Sequence, residues 1–94
     1  MPGESKLETW LIKEVRARGG MCLKLALVNL IGWPDRAVFL PGGRVIFLEL
    51  KNPNGRSRVS KQQEIWTRRL TTLGFEAYIT DDKEEIIGVF DNIA

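Results

Sequence analysis

Apolar residues recur at helical spacing through the first segment of the chain. Leu7, Leu11 and Val15, with Trp10 and Ile12 beside them, predict a helix over Ser5–Arg18 that Gly19-Gly20 ends. From Met21 to Val28 the pattern changes to alternation and predicts a strand with Leu23, Leu25 and Leu27 on one face. A loop over Asn29–Pro34 follows. Two further runs, Arg36–Leu40 and Arg44–Leu50, are joined by Pro41-Gly42-Gly43, a hairpin signal. Beyond a polar loop over Asn52–Arg58, a second helix is expected over Ser60–Leu73, opened by Ser60 as N-cap and stopped by Gly74. Phe75–Ile79 reads as a fourth strand, and Asp81–Phe90 as a last helix whose apolar side is Ile86, Ile87 and Phe90. The order α-β-β-β-α-β-α predicts an α/β fold: a mixed central sheet flanked by helices. With 94 residues the chain is expected to form a single domain, residues 1–94.

Hairpin arithmetic sharpens one region. If Pro41, Gly42 and Gly43 form the loop, Leu40 pairs with Arg44, and the same register sets Asp35 directly opposite Glu49. Side chains alternate along a strand, so Lys51 shares the face of Glu49 and Leu50 points away. A bulge at the Gly-Gly turn would shift every pair by one. In this register two carboxylates and an ammonium converge at one end of the hairpin. Adjacent carboxylates repel, and each is harder to ionise unless a cation lies between them. A magnesium ion, which takes oxygen ligands, removes the conflict. The plainer alternative is a surface cluster of ordinary ion pairs. Against it, Glu49 sits between Val45-Ile46-Phe47-Leu48 and Leu50, where an acidic side chain calls for a partner.

Composition narrows the chemistry further. There is no histidine, which removes imidazole acid–base catalysis, Ser-His-Asp sites and His-ligated zinc. The one cysteine, Cys22, cannot form an intrachain disulfide, fits a reducing compartment and reads as a small buried hydrophobe. The start, MPGESK, lacks the apolar run of a signal peptide, and the longest apolar stretches are too short to span a bilayer. A cytoplasmic protein with no membrane partner is expected. The net charge is only +2, yet Arg56, Arg58, Lys61, Arg68 and Arg69 face a single Glu64 within fourteen residues. That strip is either a contact for a polyanion or a solvated face.

Asp followed by Glu-x-Lys at a hairpin end, here Pro34-Asp35 and Glu49-Leu50-Lys51, resembles the PD-(D/E)XK nuclease superfamily. More narrowly, the chain resembles the VRR-Nuc (virus-type replication–repair nuclease) domain in its short stand-alone form from phages and prophages. The matching segments are Glu8-Thr-Trp-Leu11, Cys22-Leu-Lys24, Gly32-Trp-Pro-Asp-Arg36, Leu40-Pro-Gly-Gly43, Phe47-Leu-Glu-Leu-Lys51, Ser60-Lys-Gln-Gln63 and Leu73-Gly74, nearly the whole chain. The resemblance implies a restriction-endonuclease-like core and a Mg²⁺- or Mn²⁺-dependent DNA endonuclease, with branched DNA such as flaps or four-way junctions as a candidate substrate. It implies Asp35 and Glu49 as metal ligands and Lys51 as the catalytic lysine. Glu8 matches the acidic residue of the family's first helix and becomes a third candidate ligand; Gln63 matches the glutamine of its second. Lys61 stands where the family often has proline. Lys24, Arg36, Arg56, Arg58 and Lys61 are the candidate DNA contacts. Two active sites would be needed to cut a symmetric junction, so a C2 homodimer is a candidate assembly.

Several of these residues also carry ordinary structural readings. Ser5-Lys-Leu-Glu8 and Ser60-Lys-Gln-Gln63 both have capping-box form, in which the last side chain bonds the first backbone amide. Lys24 is either a substrate-facing cation or a snorkelling edge residue. Trp10, Trp33 and Trp66 read as core or interface residues. At the level of function, a DNA-binding module of nuclease fold without catalysis is the alternative to an enzyme.

Overall fold

A computed structural model describes residues 5–52 and 58–92. Its elements, in chain order, are α1 (Lys6–Ala17), β1 (Met21–Lys24), β2 (Arg36–Leu40), β3 (Arg44–Leu50), α2 (Lys61–Thr72), β4 (Glu76–Thr80) and α3 (Lys83–Asp91). The expected α/β order is therefore present. The sheet runs β1-β2-β3-β4, antiparallel through the first three strands and parallel between β3 and β4, with α2 as the crossover.

Alternation sorts the two faces of the sheet. Val38, Ile46 and Leu48 point to one side, where they meet Leu7, Leu11 and Val15 of α1 and Ile86 and Phe90 of α3 in the buried core. Phe47 points to the other side. There it meets Trp33 edge-to-face at 5.8 Å and Phe75 at 6.3 Å, and Trp33 in turn packs on Trp66 of α2 at 5.1 Å. Such tilted pairs place positive ring edges on negative ring faces. Trp66 also ties α2 to the loop between β1 and β2, because its Nε1 donates to the Ile31 carbonyl at 3.1 Å. Gly32, at φ +90°, lets that loop press onto α2: a Cβ there would stand 2.5 Å from the Cβ of Gln62.

The hairpin forms in the predicted register. Leu40 pairs with Arg44 and Arg36 with Leu48, without a bulge, and Gly42 and Gly43 both adopt positive φ in the loop. The first strand is shorter than predicted. It ends at Lys24, although Leu25 N–H still reaches the Asp35 carbonyl at 2.7 Å. The segment opposite has no free ladder donor at the next two positions: Trp33 N–H turns back to the Leu30 carbonyl, and Pro34 has no N–H. Leu23 and Leu27, expected on one face of the strand, are exposed, as are Met21, Val28 and Ile31. β4 and α3 begin one and two residues later than predicted. Asp82 caps α3, its side chain accepting from Glu84 N–H at 2.9 Å.

Arg44 holds three elements together. Its guanidinium grips the Glu76 carboxylate at 2.7 and 2.8 Å and donates to the Val89 and Phe90 carbonyls at the C-terminus of α3. Removing it in Arg44→Ala is expected to cost about 1–2 kcal/mol, since the pair is charge-assisted but partly solvated. That corresponds to a fall in melting temperature of roughly 5–10 °C for a domain of this size. Arg44 holds the Glu76 carboxyl below its ordinary value of 4.5. The contribution is thus complete above that value and lost as the pH falls through the lowered one. Melting curves across pH should show the wild-type advantage shrinking on acidification.

Candidate active site

The site lies at the end of the hairpin away from its turn. Continuing the ladder one step past Arg36 and Leu48 sets Asp35 opposite Glu49, as the sequence arithmetic requires. The two are joined directly: Asp35 N–H donates to Glu49 Oε1 at 3.1 Å. Pro34, fully buried just before Asp35, and the Gly32 turn fix the approach of this segment. Glu49 also pairs with Ile79 in β4, so strands on both sides hold it.

Charge at this place is held at a cost. Burial raises the pKa of Glu49, and the neighbouring charge of Asp35 raises it further. Lys51 and the Asp35 amide act the other way, while Glu8 adds a smaller push upward. Lys51 is anchored at both ends. Its amide donates to the Thr80 carbonyl at 2.9 Å, and its Nζ to the Arg58 carbonyl at 3.1 Å. Asp35, Glu49 and Lys51 thus share one corner of the sheet.

Glu8 comes from the first turn of α1. One oxygen accepts from Ser5 N–H and the other from Arg36 Nη2, each at 3.1 Å. Burial raises its pKa, but the Ser5 amide and the Arg36 guanidinium outweigh that, with help from Lys24, and the carboxyl titrates below its usual range. Glu8 therefore stays ionised near Glu49 with both oxygens already engaged. Gln63 likewise completes its capping box: its side-chain oxygen accepts from Ser60 N–H at 2.9 Å, and its own amide donates to Ser60 Oγ. The structural readings of Glu8 and Gln63 are both realised.

Among the described residues, no group of three or more acidic or cysteine side chains is placed to hold a metal ion together. What the chain offers is the Asp35–Glu49 pair. That donor set fits magnesium, which is commonly bound through one or two carboxylates with water and phosphate oxygens completing its shell. The destabilised charge on Glu49 is the kind a cation relieves.

The candidate DNA contacts divide. Lys24, Arg58 and Lys61 are exposed, and so are Arg68 and Arg69, the latter over the Trp66 ring at 5.3 Å. Arg56 lies outside the described residues. Arg36 does not face solvent: it is 3% exposed and paired with Glu8 beneath α1. Sequence reasoning grouped it with the DNA contacts and missed this partner. Alternation gave the face, because a residue next to Asp35 must point to the opposite side of the sheet, but not the partner that covers it there. Among the described residues, no helix is long and apolar enough to cross a membrane.

No family model matches the chain. The protein named "Putative nuclease p44", from Acyrthosiphon pisum secondary endosymbiont phage 1, is 35% identical over 81 residues, covering 86% of this chain and 85% of that one. A solved structure described as a VRR_NUC domain matches with a TM-score of 0.81 over 95% of each chain, at 19% identity. The VRR-Nuc resemblance read from the motifs thus holds at the level of the fold, and the chain belongs to the family of the phage p44 protein.

Proposed function

We propose that this protein is a Mg²⁺- or Mn²⁺-dependent deoxyribonuclease that hydrolyses phosphodiester bonds within DNA. The observation that carries the reading is the opposition of Asp35 and Glu49 at the hairpin end, with Lys51 one strand step on. A relative named as a nuclease and a neighbour of VRR-Nuc fold support the nuclease class. Asp35 and Glu49 would hold the ion, which would supply Lewis-acid chemistry at a phosphoryl oxygen and at a bound water. Lys51, on the same face as Glu49, supplies positive charge where negative charge builds up at phosphorus. Glu8 adds a fixed negative charge from α1, which favours a cation at the pair.

Branched DNA is the proposed substrate class, cut by a C2 homodimer that presents two active sites to one junction. Exposed Met21 (54%) and Leu23 (44%) on the edge strand, with Val28 and Ile31 beside them in sequence, provide apolar surface for a self-contact. The test is incubation of labelled duplex, flap and four-way-junction DNA with and without Mg²⁺ or Mn²⁺, alongside sedimentation of the free protein. Metal-dependent cleavage is expected, with junctions or flaps cut faster than duplex. Binding without cleavage under every condition would leave a DNA-binding module instead.

DNA is expected to enter along the basic strip at the start of α2, where the positive end of the helix dipole also favours anions. Each phosphate contact lowers the slope of log K against log salt by ~0.9 on duplex DNA. Replacing Arg56, Arg58 and Lys61 together by Ala should weaken all sequences alike and flatten that slope by ~2–3. An unchanged slope would place DNA elsewhere on the surface.

A further inference from the structure

Arg36 follows Asp35 in sequence, so alternation turns its side chain to the sheet face opposite the carboxylate pair, beneath the first turn of α1. A guanidinium that is 3% exposed needs a carboxylate partner to offset its lost hydration. α1 carries two acids. Glu14 pairs with Arg18, the C-cap of the helix, whereas Glu8, 18% exposed, takes Arg36. Glu8 is also the acid of α1 whose charge is felt at Glu49.

The two oxygens of Glu8 have different anchors. The bond from Ser5 N–H fixes the carboxylate relative to α1 only. The bond from Arg36 fixes it relative to the sheet. Since Asp35 precedes Arg36 directly, that tie runs from Glu8 to a ligand of the proposed ion through one peptide unit. A planar guanidinium fixes direction as well as charge, which a lysine ammonium does not.

We propose that Arg36 is a positioning residue: its ion pair with Glu8 sets where that carboxylate stands relative to Asp35 and Glu49, and so how tightly the site holds a divalent cation. The inference rests on the active-site reading given above. Groups behind a ligand set commonly change metal affinity by an order of magnitude or more without touching the ion.

The test is calorimetric titration with Mn²⁺ in the absence of DNA, with melting curves, on Arg36→Lys, Arg36→Met, Glu8→Gln and the Arg36→Lys/Glu8→Gln double variant. Arg36→Lys keeps the charge and loses the fixed direction of the Nη2 bond to Glu8. It is expected to weaken Mn²⁺ binding roughly tenfold. That loss should shrink to roughly twofold or less once Glu8→Gln is present, because coupled residues are not additive. Were Arg36 only a positive charge, Arg36→Lys would match wild type and Arg36→Met would bind Mn²⁺ more tightly, which overturns the inference. Were it only a structural pin, Arg36→Lys would lower the melting temperature, and its effect on Mn²⁺ would not depend on residue 8; this overturns it too. Asp35→Asn separates the two levels of the argument. If Asp35→Asn leaves Mn²⁺ binding intact, the site is elsewhere and the role of Arg36 falls with it. If Asp35→Asn abolishes binding while Arg36→Lys behaves as wild type, only the role of Arg36 falls.

Discussion

Asp35→Asn and Glu49→Gln are each expected to lower DNA cleavage by roughly a thousandfold or more, the loss of several kcal/mol of metal-derived transition-state stabilisation. The fold should survive both changes. Asp35 contributes its backbone to the sheet, through its carbonyl to Leu25 and its amide to Glu49, and a glutamine oxygen can still accept the latter bond. Melting of the metal-free protein gives an independent check. Burial and Asp35 both oppose the charge on Glu49, so Glu49→Gln should melt no lower than wild type and is expected to melt higher. Added Mg²⁺ should then stabilise the wild type and neither variant, because a ligand that binds only the folded site raises its stability by mass action. Full cleavage by either variant would sink the assignment.

The hairpin was the most legible part of this chain. Pro41-Gly42-Gly43 fixes where the chain reverses, and alternating apolar residues on both sides fix the faces, so one register satisfies both. The opposition of Asp35 and Glu49 followed from that register alone. The strand beginning at Met21 ends at Lys24, short of its predicted Val28, for a physical reason. Alternation at Leu23, Leu25 and Leu27 is a property of one segment, but a strand lasts only as long as its partner offers donors and acceptors. Here the partner is the turn at Gly32 and Pro34.

Local chemistry was legible for Glu8 and Gln63 as well, since a capping box is written within four residues. The Glu8–Arg36 pair was not. It joins residues 28 positions apart on elements that meet only after α1 docks on the sheet, and no periodicity encodes that docking angle. The same limit hid Arg44, whose partners Glu76, Val89 and Phe90 come from two later elements. Long-range ion pairs are consequences of the fold, and they became visible only with it.

Lys51→Ala is expected to lose turnover by roughly two to three orders of magnitude while folding normally and binding metal and DNA within a few-fold of wild type. The lysine is not needed to build β3, because its contribution there is its amide, which donates to Thr80 and which alanine retains. Its ammonium donates to the Arg58 carbonyl at 3.1 Å, so the charge is tied to the start of the basic strip, while it also favours the ionised form of Glu49. Loss of Lys51 should make that carboxyl still harder to ionise. Metal affinity and cleavage should therefore be compared across a pH series for both proteins, so that a change in the ionisation of Glu49 shows as a shift along the series. Under those conditions a catalytic lysine leaves the calorimetric metal affinity near wild type and the maximal rate low even at saturating metal. An electrostatic support gives the reverse, with weaker metal binding and a maximal rate that recovers fully as metal is raised, and that outcome would remove Lys51 from the catalytic group.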